Sequence, residues 1–179
     1  TDGTTHNAST TFGSGANLGN SSYVVFRGDD TTPQVDVTGL TAGTTYHVAV
    51  YAYKGSGADS GADLGINYRQ TSPATGSLPT LAAEPTTHSS SLSFSNIGAY
   101  SMDLSWTGGN GANRIVVVRQ GSTVNWTPAD GTAPSGVSAD FSLAADQANG
   151  NKICYDGSGS SFTLSGLSPE TTYYVTIFE

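Results

Sequence analysis

The segment Leu40-Thr-Ala-Gly-Thr-Thr-Tyr46-His-Val-Ala-Val-Tyr51 recurs in altered form as Leu167-Ser-Pro-Glu-Thr-Thr-Tyr173-Tyr-Val-Thr-Ile-Phe178. In both places a leucine precedes a polar turn, a tyrosine and a stretch of alternating apolar residues. Such alternation predicts a strand with one buried face. Because the same pattern starts once at position 40 and again at position 167, the sequence contains an internal repeat.

Two blocks upstream repeat in the same order. The sequence Tyr23-Val-Val-Phe-Arg-Gly28 matches Lys152-Ile-Cys-Tyr-Asp-Gly157, and Asp2-Gly-Thr matches Asp130-Gly-Thr. The spacing between copies is slightly larger for the upstream blocks, and the difference falls in the turn sequence 29–33. Loops tolerate such changes of length. Three ordered blocks therefore indicate a repeat with a period of roughly 130 residues.

The two copies are unequal portions of this repeat. We predict that residues 1–79 are the C-terminal part of a first repeat with its linker, and that residues 80–179 are a second repeat lacking its last strand. The first copy has no counterpart of 92–126, and the second has none of 66–73. The proline-containing stretch 71–85 is predicted to be a stiff linker. We therefore expect a window on a longer array, or neighbouring subunits that supply the missing strands.

Composition excludes several classes of protein. With 6 Lys+Arg against 14 Asp+Glu in 179 residues, the net charge is -8, too acidic for a nucleic-acid binder. One cysteine cannot form an internal disulfide, and we expect neither a membrane span nor a signal peptide in this sequence. The chain has 24 Ser and 24 Thr but only three Glu and two Lys, a composition that favours strands and turns over helices.

Short alternating stretches separated by glycine-rich turns predict an all-β fold. Residues 114–119 form a continuous β-branched run, typical of a strand covered on both faces. We predict two antiparallel β-sandwich modules in tandem, both incomplete. The other predicted strands begin at Val35, Tyr46, Leu92, Met102, Phe162 and Tyr173.

These features resemble the fibronectin type III family. The resemblance depends on Trp106 in an early strand and on the pairs Leu40 with Tyr46 and Leu167 with Tyr173. The latter are similar to the family's tyrosine corner, in which a tyrosine hydroxyl bonds to nearby backbone. The run 109–131 is similar to a variant from large secreted and surface proteins of Bacteroidota. That likeness implies an enlarged connection over about 120–151 and leaves function open.

No catalytic constellation is predicted. The three histidines lie in different contexts, no Gly-x-Ser-x-Gly elbow opens a helix, and glutamates are too few for a pair of catalytic carboxylates. A small hydrolase is the least favoured alternative, and its activity would depend on one histidine. The residues considered are His6, His47, His88, Glu84, Glu170 and Glu179.

Calcium is the one cofactor for which the sequence offers candidate ligands. Asp29, Asp30, Asp59 and Asp63 could group hard oxygen atoms, although the sequence lacks a dedicated calcium-loop pattern and solvated turn carboxylates explain them as well. No other metal or cofactor is expected. Cys154 replaces Val25 of the first copy, which predicts a buried, unreactive thiol.

Two surface features suggest contact with sugars. Aromatic side chains at Tyr51, Tyr53, Tyr68 and Trp126 are candidates for stacking on glycans, although aromatics such as Trp126 more often plug the end of a sandwich. The sequence Asp30-Thr31-Thr resembles an O-glycosylation acceptor of Bacteroidota, which makes Thr31 a candidate modification site.

Together these observations predict a non-enzymatic structural or spacer module of an extracellular or bacterial cell-surface repeat protein, in an adhesin-like stalk or filament. Its expected partners are neighbouring repeats or identical subunits, with strand exchange as one mode of contact, and surface glycans. Nucleic acid and membrane insertion are not expected. The alternative is an accessory carbohydrate-binding or spacer module of a secreted glycoside hydrolase.

Overall fold

The computed structural model describes residues 3–28, 34–54 and 66–179, and all helix and strand elements among them are β-strands. The chain divides into two compact units, Thr1–Ala83 and Glu84–Glu179, here called unit 1 and unit 2. The boundary predicted after residue 79 lies shortly before this division. The strand pairings are antiparallel apart from two isolated bridges, so the predicted all-β antiparallel architecture is confirmed.

Unit 1 contains three small two-stranded sheets among its described residues, with the pairs β1–β2, β3–β6 and β4–β5. Every residue of β6 is exposed, and Ile66 is the one fully buried hydrophobic side chain in the described part of this unit. Several apolar side chains among the described residues of this unit are exposed, including Leu18, Val48, Val50 and Leu78. Its strands are β1 (Asn17–Gly19), β2 (Ser22–Tyr23), β3 (Thr45–Val50), β4 (Tyr53–Lys54), β5 (Asn67–Tyr68) and β6 (Ala74–Pro79).

Two local predictions in unit 1 are wrong. The prolines of the stretch 71–85 predict a linker, yet β6 within it pairs with β3 along six residues. Pro79 ends β6 opposite Thr45, and it is the chain between β6 and unit 2 that has no strand. The predicted strand at Val35 is reduced to one isolated bridge, in which Thr38 pairs with Thr11.

Unit 2 is a two-sheet sandwich. One sheet has the strand order β12-β8-β7 and the other the order β10-β11-β9-β13. This is the immunoglobulin- and fibronectin-type arrangement, in which two antiparallel sheets pack face to face over a shared core. The strands are β7 (Ser90–Ser95), β8 (Met102–Thr107), β9 (Arg114–Gln120), β10 (Asp146–Ala148), β11 (Asn151–Gly157), β12 (Ser161–Leu164) and β13 (Tyr173–Phe178).

Strand β9 is buried on both faces, as its continuous apolar run predicts. Val116 and Val118 face the core between the sheets, whereas Ile115 and Val117 face a second cluster on the other side. The enlarged connection between β9 and β11 covers that second face through Val124 and Trp126 among others. Unit 2 therefore has an additional apolar layer outside the sandwich.

The two units repeat the same backbone contacts. The isolated bridge Thr11–Thr38 corresponds to Asp140–Ser165, and each is accompanied by a 2.8 Å hydrogen bond from the following residue, Phe12 or Phe141. The tight turns between β1 and β2 and between β10 and β11 also occupy equivalent positions. The repeat seen in the sequence thus recurs as a repeat of local geometry.

Candidate functional site

The geometry shared by the two units centres on a tyrosine hydroxyl. In unit 1 the N–H of Thr41 donates to the Tyr46 hydroxyl at 2.9 Å, and in unit 2 the N–H of Ser168 donates to the Tyr173 hydroxyl at 2.9 Å. Each donor lies five residues before its tyrosine. This is the hydrogen bond of a tyrosine corner, and it fixes the turn that leads into β3 or β13.

An aromatic pair reinforces each corner. The rings of Phe12 and Tyr46 lie edge to face at 5.0 Å and 79°, and those of Phe141 and Tyr173 at 5.1 Å and 78°. The turn before each tyrosine needs a left-handed residue, supplied by Gly43 (φ 63°) in unit 1 and by Glu170 (φ 54°) in unit 2. A glutamate adopts this conformation less readily than a glycine does.

The core of unit 2 is organised around Trp106. Its ring packs edge to face on Tyr155 at 5.4 Å and on Phe162 at 6.3 Å. Leu167 is also buried in this cluster, whereas its counterpart Leu40 is about one-third exposed. The Trp106 side chain thus packs within the inter-sheet core, and its ring nitrogen is buried with no hydrogen-bond partner among the described residues.

A buried ion pair closes one end of unit 2. Arg114 Nε lies 3.2 Å from Glu179 Oε1, and both side chains are almost fully buried. Glu179 also accepts hydrogen bonds from the Ser89 hydroxyl and from the N–H groups of Gly109 and Gly111. Burial alone raises the pKa of Glu179, but hydrogen bonds from Ser89, Gly109 and Arg114 and the charge of Arg114 outweigh it and lower the pKa to about 2. The carboxylate therefore stays charged and ties several loops together.

The guanidinium of Arg114 completes this cluster. It donates to the carbonyl oxygens of Ser158 at 2.6 Å, Gly159 at 2.9 Å and Gly111 at 3.2 Å. All these partners belong to unit 2, and their bonding capacity is used inside it. The sequence predicts no catalytic role for Glu179, and its surroundings show a structural one that the sequence does not indicate.

Cys154 lies in β11 and is buried in the inter-sheet core. Burial raises the pKa of its thiol to about 12, and the positive charge of Lys152 offsets only part of that effect. A thiol with so high a pKa is neutral at physiological pH and a poor nucleophile. Its position therefore matches the predicted replacement of a valine.

The candidate sugar-stacking aromatics fall into two groups. Trp126 packs against Phe178 at 6.5 Å on the outer layer of unit 2, beside a small cavity of about 70 Å³. In unit 1, the rings of Tyr53 and Tyr68 lie 5.3 Å apart and His6 lies 6.1 Å from Tyr68. Tyr51 is exposed on unit 1.

The remaining candidates are scattered or outside the described residues. His47 in β3 and His88 before β7 are exposed, and Glu170 sits at an exposed turn. No cluster of three or more His, Cys, Asp or Glu side chains occurs in the described ranges.

Across those same ranges we find no helix long and apolar enough to cross a membrane. The calcium candidates Asp29, Asp30, Asp59 and Asp63 and the modification candidate Thr31 lie outside the described residues.

Strand β13 stands at one end of the strand order in the four-stranded sheet of unit 2. Strand β13 pairs with β9, and within unit 2, which the structure describes throughout, no strand pairs with its other side. Its counterpart β3 in unit 1 does have a partner there, namely β6.

Comparison with known proteins adds little beyond the fold. No protein-family model and no curated protein sequence matches the chain. The chain is similar to "Titin kinase and its flanking domains" (14% identity, TM-score 0.34), covering 53% of this chain and 14% of that chain. It is also similar to "Crystal structure of domains A168-A170 from titin" (9% identity, TM-score 0.36), covering 76% of this chain and 53% of that chain. Such low scores carry no argument, so the sandwich assignment rests on the strand order and the tyrosine corner.

Proposed function

We propose that the chain is a non-enzymatic structural module of an extracellular protein on a bacterial cell surface, where such modules are joined in series as the stalk or filament of an adhesin. The observation that carries this proposal is the recurrence of one set of local contacts in both units. Repeated modules that differ in sequence but keep the same corner and turn geometry are typical of spacer arrays. Neighbouring repeats and identical subunits are the proposed partners.

The polar interior of unit 2 supports a structural role. Arg114 and Glu179 bond to each other and to loop backbone, and Asn151 bonds to Asn125 at 2.8 Å and to the carbonyl of Ala148 at 2.7 Å. Asn151 is fully buried and fastens the enlarged connection to β11. Buried polar groups that are fully hydrogen-bonded rigidify a module. Rigidity suits a spacer that keeps its neighbouring modules at a fixed distance.

Electron microscopy of the native protein tests this proposal. Strands of six or seven residues are roughly 20–24 Å long, so modules in series should give extended fibres with an axial repeat of roughly 30–45 Å. The expected image is a fibre with that regular spacing. Compact, isolated particles would contradict a stalk or filament.

The aromatic cluster of unit 1 supports a second candidate function. Tyr53 and Tyr68 present two neighbouring rings, and Arg27 lies 5.9 Å from the Tyr53 ring. Such a surface suits an accessory carbohydrate-binding module of a secreted glycoside hydrolase. Glycan-array binding that disappears in Tyr53→Ala and persists in Trp126→Ala would favour this role. If the unmodified chain bound no glycan on the array, the carbohydrate-binding role would be contradicted.

A further inference from the structure

The loop between β8 and β9, residues 108–113, holds the chain that enters unit 2. The side-chain oxygen of Asn110 accepts hydrogen bonds from the N–H groups of Thr86 at 3.0 Å and Thr87 at 2.9 Å. Its side-chain nitrogen donates to the Thr86 hydroxyl at 3.0 Å, and its backbone N–H donates to the carbonyl of Thr87 at 3.2 Å. One asparagine therefore binds two successive residues of the entering chain through both its side chain and its backbone.

The loop and the entering chain also lie in close contact. A Cβ atom on Gly109 would overlap the carbonyl oxygen of Thr87, so this approach requires a residue that has no side chain. Ser89 is held as well, because its hydroxyl donates to Glu179, which also accepts the N–H of Gly109 at 2.9 Å. The segment 86–89 is thus fastened to the body of unit 2 before its first strand begins.

The preceding part of the connection is fastened to unit 1. The N–H of Thr80 donates to the carbonyl of Thr44 at 3.0 Å. The carbonyl of Leu81 accepts a hydrogen bond from the N–H of Gly43 at 2.8 Å. Between these two fastened ends, no residue in the range 82–85 forms a hydrogen bond with any part of the chain that the structure describes.

We propose that the β8–β9 loop is a clamp that confines the flexible joint of the chain to residues 82–85, with Asn110 setting the length of that joint. Pro85 restricts the residue before it to extended conformations, which narrows the joint further. Without Asn110 the joint would lengthen to residues 82–88, and random-coil scaling then increases its r.m.s. span about 1.3-fold. The inference adds a joint to the proposed spacer role, but it depends only on contacts within this chain.

NMR relaxation of the full chain tests the clamp. In the unmodified chain the backbone order parameters should be below about 0.6 at residues 82–84 and about 0.85 at Thr86 and Thr87. In Asn110→Ala the values at Thr86 and Thr87 should also fall below about 0.6. Asn113→Ala is the matched control, because Asn113 is an exposed asparagine of the same loop whose side chain forms no hydrogen bond with any described residue.

Hydrogen exchange provides a second measurement on the same chain. The amides of Thr86 and Thr87 lose their acceptor in Asn110→Ala, so their exchange rates should rise roughly five- to tenfold. Gly109→Ala should raise them as well, because its Cβ displaces the chain at Thr87. Gly98→Ala, in the turn between β7 and β8, should leave them unchanged, because a Cβ there meets its nearest atom at an ordinary 3.6 Å.

Two results would overturn the clamp. One is an unmodified chain in which Thr86 and Thr87 are as mobile as residues 82–84, and the other is an Asn110→Ala variant in which they stay as rigid as before. If Asn110→Ala failed to fold, the comparison within the unmodified chain would still decide the matter. Fibre formation seen by electron microscopy is a separate observation, so the spacer role can fail while the clamp stands, and the clamp can fail while the fibres remain.

Discussion

Unit 1 and unit 2 share a tyrosine corner but not a core. The same hydrogen bond, aromatic pair and tight turn occur in both, yet Leu40 is 37% exposed where Leu167 is 6% exposed. The hydrogen bond of the corner joins residues five apart in sequence, so it depends on local backbone geometry. Closing the core needs β8 and β9, and the described residues of unit 1 contain no counterparts of them. Within the described residues, the corner hydrogen bond thus occurs both beside a closed core and without one.

The largest expected effect concerns the buried ion pair of unit 2. Unit 1 cannot form the same pair, because Ala52 stands at the position equivalent to Glu179. Replacing Glu179 by Gln leaves the buried Arg114 charge unpaired, which should reduce the free energy of unfolding of unit 2 by about 3 kcal/mol. Urea unfolding followed by tryptophan fluorescence measures unit 2 alone, because Trp106 and Trp126 both belong to it. Lys54→Gln, an exposed charge change in unit 1, is the matched control. An unchanged midpoint would contradict the structural role of the pair.

The pH dependence of unit 2 follows from the same group. The pKa of Glu179 is lowered in the folded state from an ordinary 4.5 to about 2, so the folded carboxylate holds fewer protons than the unfolded one between those values. Its stabilising contribution is fully present above pH 4.5 and is lost as the pH falls toward 2. Unfolding midpoints measured from pH 6 to pH 2, a range that brackets the ordinary carboxyl pKa of about 4, should fall less steeply in Glu179→Gln than in the unmodified chain. Parallel curves would assign the acid sensitivity to other carboxylates.

Sequence patterns predict the strands of unit 2 well because each buried face leaves a periodic trace. The run 114–119 indicates burial on both faces, and the structure places β9 between two apolar clusters. The pairing of Arg114 with Glu179 leaves no such trace, because the partners are 65 residues apart and come together only when β9 and β13 align. Strand β6 escapes prediction for a different reason. Its composition of Pro, Gly, Ser and Thr is that of a linker, and only its pairing with β3 makes it a strand.

A pair of leucine truncations measures the difference in core closure directly. Leu167→Ala removes a buried side chain from the inter-sheet core and should destabilise unit 2 by about 2–4 kcal/mol. Leu40→Ala, at the equivalent but more exposed position, should cost unit 1 less than about 1 kcal/mol. Hydrogen-exchange mass spectrometry reports each unit separately within one chain. Equal losses of protection in the two units would show that unit 1 is packed as tightly as unit 2.

The smallest expected effect is the one that should be the same in both units. Tyr46→Phe and Tyr173→Phe each remove a hydroxyl that accepts one backbone hydrogen bond at 2.9 Å, a loss of about 1 kcal/mol. The amides of Thr41 and Ser168 lose their acceptor, so their exchange rates, measured by NMR, should rise by a similar factor of roughly five. If only Ser168 responded, the corner of unit 1 would depend on a closed core after all. A response at both amides would establish that the corner hydrogen bond is formed to a similar extent in both units, whether or not the leucine of that unit is buried.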